Sequence, residues 1–183
     1  MGDPRRIKKK FSKPGHPWQK VRIIEEAKLK EEYAYKNKRE LWRIKSMLRG
    51  FRAQARKLIG RADPSSELAA SQLIGRLYRM GLIEKNAKLE DVLGLSVRDL
   101  MERRLQTLVF RKGLARTIKQ ARQFISHGHI IVSGRKITSP SYMVLRDEEN
   151  KISFNPSSAL SSPEHPLKQT AQKKIKKEQK KNN

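Results

Sequence analysis

From Arg103 to Val144 the chain reads RRLQTLVFRKGLARTIKQARQFISHGHIIVSGRKITSPSYMV, and this stretch limits the fold more than any other. Just ahead of it, Ser96 with Asp99 three positions on is a helix-start pair. Val97, Leu100, Met101, Leu105, Leu108 and Val109 then recur at helical spacing, which predicts one helix ending at Lys112-Gly113. Thr117 with Gln120 repeats the capping pattern and opens a second helix closed by Gly128. There Ile118, Ala121 and Ile125 face inward, while Lys119, Arg122 and Ser126 share the other side. Ile130 to Val132 and Lys136-Ile137 read as strands around a hairpin-like turn, Ser133-Gly134-Arg135. Tyr142 to Leu145 and Lys151 to Phe154 read as further strands around the acidic turn at Asp147 to Asn150.

The cations on this scaffold belong to a chain of 183 residues with 43 Lys and Arg against 18 Asp and Glu, a formal net charge of +25. Such an excess predicts binding to a phosphate backbone through counterion release. An anionic membrane surface is the rival polyanion, yet no apolar run approaches the roughly 20 residues that span a bilayer. The basic start, Arg5 to Lys10, leads into no apolar stretch, and position 6 after Met1-Gly2 is not Ser or Thr, so neither a secretory nor a myristoylation signal is read. The chain has no cysteine. That excludes disulfides, thiolate zinc sites and Cys nucleophiles together.

The remainder divides by composition. Residues 1–19 carry Pro4, Pro14, Gly15 and Pro17 and read as an extended basic arm ending at Trp18. Residues 20–36 predict a polar helix. Asn37 with Glu40 predicts a capping box for the next helix. Its face is Leu41, Ile44, Leu48, Phe51, Ala55 and Leu58, flanked by a basic stripe of Lys45, Arg49, Arg52 and Arg56. Asp63-Pro64 starts a further helix, and residues 82–95 read as a connector. Beyond Asn155 the chain turns Ser-, Pro- and Lys-rich and reads as a disordered tail.

Several residues have two readings. Arg103 points off the apolar helix face toward phosphate, whereas Arg104 falls on it, as a snorkelling or structural arginine. Lys119 and Arg122 share an exposed face suited to phosphate, as do Arg135 and Lys136 on their turn. His127 and His129 lack a third metal ligand, and His127 instead suits helix capping or a phosphate contact. Trp18 is the aromatic most suited to anchor RNA or protein, while Trp42, Tyr33 and Tyr35 suit packing.

Arg104-Leu105, Gly113-Leu114-Ala115, Thr117, Ala121-Arg122-Gln123, His127-Gly128-His129-Ile130, Val132, Gly134-Arg135 and Pro140-Ser141-Tyr142 together resemble the RNA-binding module named after the fourth small-subunit ribosomal protein. His16-Pro17-Trp18, YAYKNKRELWR at Tyr33 to Arg43 and DVLGLSVRDLMERRLQTLV at Asp91 to Val109 resemble the archaeal and eukaryotic form of that ribosomal protein family. Many members carry Asp after the Arg-Leu pair, where this chain has Gln106, and Gln cannot form a carboxylate's ion pair. The resemblance implies binding of small-subunit ribosomal RNA at a multi-helix junction early in assembly. It also implies a cytoplasmic place in the ribosome near the messenger entrance, beside small-subunit ribosomal protein five, and an influence on decoding accuracy. It raises Arg104 as an RNA contact.

The expected fold is therefore α+β. A basic arm (1–19), a helical N-terminal domain (20–95), the RNA-binding module (96–155) and a basic tail (156–183) follow one another. The expected RNA-binding residues are Arg103, Arg104, Arg111, Lys112, Arg116, Lys119, Arg122, His127, Arg135 and Lys136, with Arg49, Arg52, Arg56 and Trp18 from the first half. No cofactor, metal, small-molecule substrate or catalytic constellation is expected. Three rivals exist. An RNA-modifying enzyme would need a further catalytic domain. A DNA binder reading through Thr117 to His127 conflicts with the glycine-and-strand continuation. A free RNA chaperone is compatible with the sequence.

Overall fold

A computed structural model describes residues 9–61 and 63–161. The architecture is α+β, with a small antiparallel sheet set at the end of a mostly helical chain. Helix α1 (Lys20–Tyr33) ends where Ala34 adopts a left-handed φ of 46°. The chain turns back there into α2 (Lys38–Ile59), and α3 (Pro64–Arg79) follows with its proline in the first turn. On α2 the residues Leu41, Ile44, Leu48, Phe51 and Ala55 are buried, as their spacing predicts. They pack with Leu73, Leu77, Val92, Leu95, Leu100 and Met101 into the first core. The predicted connector contains a helix of its own, α4 (Leu89–Gly94), whose Val92 is fully buried.

A buried acid fastens α1 to α2. Glu26 is 1% exposed. Its carboxylate accepts a hydrogen bond from Trp42 Nε1 at 3.2 Å and faces Lys38 and Lys45 at 3.5 and 3.6 Å. Its backbone carbonyl accepts the Tyr35 hydroxyl at 2.6 Å. Buried charge is retained at acceptable cost only with partners of this kind.

The single helix expected from Val97 to Lys112 is in fact two, α5 (Val97–Glu102) and α6 (Leu105–Arg111). Ser96 and Asp99 do form the expected capping box. The break falls at Arg104, whose backbone is extended and forms an isolated bridge with Met143. Leu105 N donates to Tyr142 O at 2.8 Å, and Val144 N to Arg103 O at 3.0 Å. The segment expected as a strand at Tyr142 to Leu145 is held by these bonds rather than by a sheet ladder. Periodicity misses the break because the apolar spacing continues across it, although Leu100 and Met101 of α5 enter the first core and Leu105, Leu108 and Val109 of α6 enter the second.

Helix α7 (Ile118–Ser126) is capped by Thr117, whose side chain accepts from Gln120 N at 3.1 Å. The Gln120 side chain instead takes Arg116 N at 2.7 Å, so the expected box is half made. Strands β1 (Ile130–Val132), β2 (Arg135–Lys136) and β3 (Ile152–Phe154) lie in the order β2-β1-β3. Val132 pairs with Arg135, so Arg135 belongs to β2 rather than to the expected turn, the strand lies one residue earlier than Lys136-Ile137, and Ser133-Gly134 is left as a two-residue loop with φ values of 49° and 77°. Positive φ at both positions matches the twist of a tight hairpin. The acidic turn is a short helix, α8 (Arg146–Glu149). The second core joins Leu105, Val109, Ala121, Ile125, Ile130 and Val144. Leu160, in a 3-10 turn at Ala159–Ser161, is buried in it as well. Ordered chain thus runs past Asn155, where the sequence suggests a tail begins. The rest of that tail and the first eight residues of the arm lie outside the described residues.

Candidate nucleic-acid interface

The arginines expected to meet RNA fall into two groups, and Glu40 draws two of them, Arg104 and Arg122, into the protein. Glu40 does not cap α2, as the Asn37 pattern suggests, because Asn37 makes no side-chain cap bond. Its carboxylate reaches across to the module. Arg104 Nη2 donates to one oxygen, and Arg122 Nη2 donates to the other at 2.9 Å. Arg104 is 2% exposed, with Nη1 against Met101 Sδ at 3.6 Å. Burial pushes the Glu40 carboxyl up, but hydrogen bonds and charge from Arg122 and Arg104 outweigh it and leave it below the ordinary glutamate value. Gln106, also buried, completes this seam. Its Nε2 donates to Ile118 O at 3.1 Å and Ala34 O at 3.4 Å, and its Oε1 accepts from Arg122 at 3.5 Å. A carboxamide can donate to carbonyls where a carboxylate cannot. Arg122 therefore has its carboxylate from Glu40 in the other half of the molecule.

Other expected contacts are also held by the protein. Arg103 Nη1 donates to Glu149 at 2.6 Å and its Nη2 to Val144 O at 3.3 Å. Its guanidinium lies against Gly81, where an added Cβ would sit 2.7 Å from Cζ. Arg111 pairs with Glu102 at 2.9 Å, and hydrogen bonding to that carboxylate raises the Arg111 pKa. Glu102 also accepts the Tyr33 hydroxyl at 3.0 Å, whose pKa is raised by burial and then by this bond. Lys112 Nζ donates to Glu149 O. Arg52 Nη2 donates to Leu95 O at 2.6 Å, tying α2 to the end of α4. Arg49 donates to Ser12 Oγ at 2.9 Å, so this part of the stripe fastens the arm.

Arg56, Arg116, Lys119, His127, Arg135 and Lys136 are exposed, and none of them pairs with a carboxylate of the described residues. Lys119 and the outer side of Arg122 share a cleft with Lys30, from the last turn of α1, with Lys36, from the α1–α2 turn, and with a single acid, Glu31. Lys30 and Lys36 escape a reading confined to the module, because the fold alone brings that turn beside α7. The Lys136 side chain folds over Gly128, whose φ is 74°. His127 ends α7, 6.1 Å from the His129 ring, and His129 Nδ1 bonds Ser158 Oγ at 2.7 Å. No group of three metal-ligating side chains exists among the described residues. Trp18 stands 88% exposed.

Glu40 is the residue that sequence reasoning misplaces. A signal is available, since it is the only acid between Lys36 and Arg61. A lone carboxylate in such a cationic stretch has more arginine suitors than a cap site.

The model of the S4 domain matches residues 103–150, and that of the ribosomal protein S4/S9 N-terminal domain matches residues 4–102. The chain is 54% identical to small ribosomal subunit protein uS4 of Ignicoccus hospitalis, over 86% of this chain and 95% of that protein. It is 53% identical to the uS4 protein of Methanococcus aeolicus (91% and 94% covered) and 52% identical to that of Sulfolobus acidocaldarius (86% and 90%). The chain belongs to the uS4 family of small ribosomal subunit proteins.

Proposed function

We propose that the chain is a structural component of the small ribosomal subunit that binds small-subunit ribosomal RNA, and that it is not an enzyme. The observation that carries this reading is the cleft between the two halves of the molecule where Lys30, Lys36 and Lys119, which form no ion pair among the described residues, lie beside the Glu40-paired Arg122 and face one acid. Cations that lack carboxylate partners gain most from neutralising phosphates. A-form RNA is met mainly through its backbone and shape, which suits a cleft and a hairpin rim better than a recognition helix. Arg116, Lys119, Arg135, Lys136, Arg56 and His127 are assigned to the RNA face. Arg103, Arg104, Arg111, Lys112 and Arg52 hold that face in place.

Within the same reading, the RNA site is a multi-helix junction occupied early in assembly. The protein sits near the messenger entrance beside small-subunit ribosomal protein five, in the cytoplasmic ribosome, and contributes to decoding accuracy. Family membership supports these finer assignments. The test is a filter-binding titration of the full chain against the 5′ domain of small-subunit ribosomal RNA, with transfer RNA and duplex DNA as competitors. Tight binding that survives both competitors is expected. Equal displacement by every polyanion would overturn the specific assignment.

A further inference from the structure

The cationic RNA face does not include Trp18, although it is the most exposed large apolar side chain among the described residues. It stands on a groove between the arm and the start of α2. Pro14, Pro17 and Trp42 form apolar walls, and Lys13, Lys38 and Arg39 line the rim. The walls are fixed. Trp42 is held by Glu26 through Nε1 and packs on Phe11, with ring centroids 6.2 Å apart. Arg22 donates to His16 O at 2.7 Å and Pro17 O at 2.6 Å, which sets the bend of the arm that presents Trp18. Glu26 is the one acid lining the groove among the described residues, and its carboxylate is already engaged by Trp42, Lys38 and Lys45.

Trp18, Pro14, Pro17 and Trp42 line one groove, and apolar side chains gathered inside a polar rim mark an interaction site. The rim specifies a cover that is anionic, and the walls one that is flat and apolar. A nucleotide unites both properties, because every base offers a π-face and every linkage a phosphate. We propose that this groove takes an unpaired ribonucleotide, its base stacked on Trp18 and its phosphate on the rim at Lys13 and Arg39, the rim cations that no carboxylate of the described residues engages. This deepens the RNA-binding reading and rests on it, adding a base contact to a surface otherwise built for phosphates.

The test compares two labelled hexamers by fluorescence anisotropy at moderate salt, one of oligoadenylate and one abasic strand of equal charge. The full chain is used as wild type and as Trp18→Ala, which removes a side chain too exposed to affect folding. Wild type should bind oligoadenylate roughly tenfold tighter than Trp18→Ala, while the two proteins bind the abasic strand alike. Equal binding of oligoadenylate by both proteins would overturn the groove proposal. So would an equal loss on both strands, which would mean that charge or arm geometry was disturbed. Displacement of Trp18-dependent signal by an acidic, proline-rich peptide but not by unlabelled oligoadenylate would assign the groove to a protein and overturn it too. Wild-type binding to the structured 5′-domain RNA is measured alongside. If that is absent, the RNA reading itself fails; if it persists while the groove test fails, only the groove assignment is lost.

Discussion

At the seam between the two halves, Arg104 and Arg122 share the carboxylate of Glu40. At the hairpin, Arg135 and Lys136 form no ion pair with any acid of the described residues, and Lys119 on the open side of α7 forms none either. Seam and rim carry the same kind of charge, yet one is structural and the other is available. Arg104 is 2% exposed and its partner Glu40 is 18% exposed, while Arg135 and Lys136 are both exposed. A count of cations therefore does not locate a phosphate site. The placement of the few acids does, because carboxylates such as Glu40 and Glu149 take up the arginines beside them and fix them as scaffold.

Breaking the seam should have the largest effect. Glu40→Ala leaves Arg104 buried without its carboxylate, and such a loss costs roughly 3–5 kcal/mol. Urea denaturation of the full chain measures it, and a loss under about 1 kcal/mol, the range of an exposed pair, would show that the seam contributes little. Reversing charge at Arg122, which the sequence sets on an exposed face suited to phosphate, should also destabilise the fold, since it sets a second acid against Glu40. The clean test is at the rim. Lys119→Glu with Arg135→Glu should weaken binding to ribosomal RNA by roughly tenfold or more at moderate salt, through two lost phosphate contacts. The denaturation midpoint should stay unchanged, and a shifted midpoint with unchanged affinity would reverse the two roles.

Smaller effects sharpen the contrast. Gly134 has open space around the position of a Cβ but a φ of 77°, so Gly134→Val should cost about 1–2 kcal/mol through backbone strain alone. Thermal unfolding would register it, and no change would mean that the hairpin relaxes freely. The seam should also respond to acid. The Glu40 carboxyl lies below its ordinary value of 4.5 in the folded protein. Its contribution is therefore full above that value and is lost as pH falls through it toward the lower folded value. Stability of wild type should fall more steeply than that of Glu40→Gln over this acid range. Parallel curves would remove Glu40 from the acid response.

Much of the fold is legible in the sequence where the cause is local. The α2 face, the proline at the start of α3, the Ser96–Asp99 box and the Ser133-Gly134 turn each follow from neighbouring residues. Long-range choices are not legible. Glu40 lies 64 residues from Arg104 and 82 from Arg122, so a local capping pattern outweighs them in any reading of neighbours alone. The break at Arg104 likewise depends on Met143, and the burial of Leu160 on the second core. Among the site residues, spacing separates inward from outward positions on α7 but cannot tell which outward cations find an acid. Arg103 shows this, since a helical wheel sets it off the apolar face, yet its side chain is 13% exposed and meets Glu149.

The most direct test is the slope of log binding constant against log salt for ribosomal RNA, measured for Lys119→Gln, Arg135→Gln and Arg103→Gln. Each rim substitution should reduce the slope by about 0.7–0.9, the share of one phosphate contact, while Arg103→Gln should leave it unchanged. A reduction for Arg103→Gln as large as for the rim variants would contradict the claim that carboxylate pairing decides which cations meet RNA.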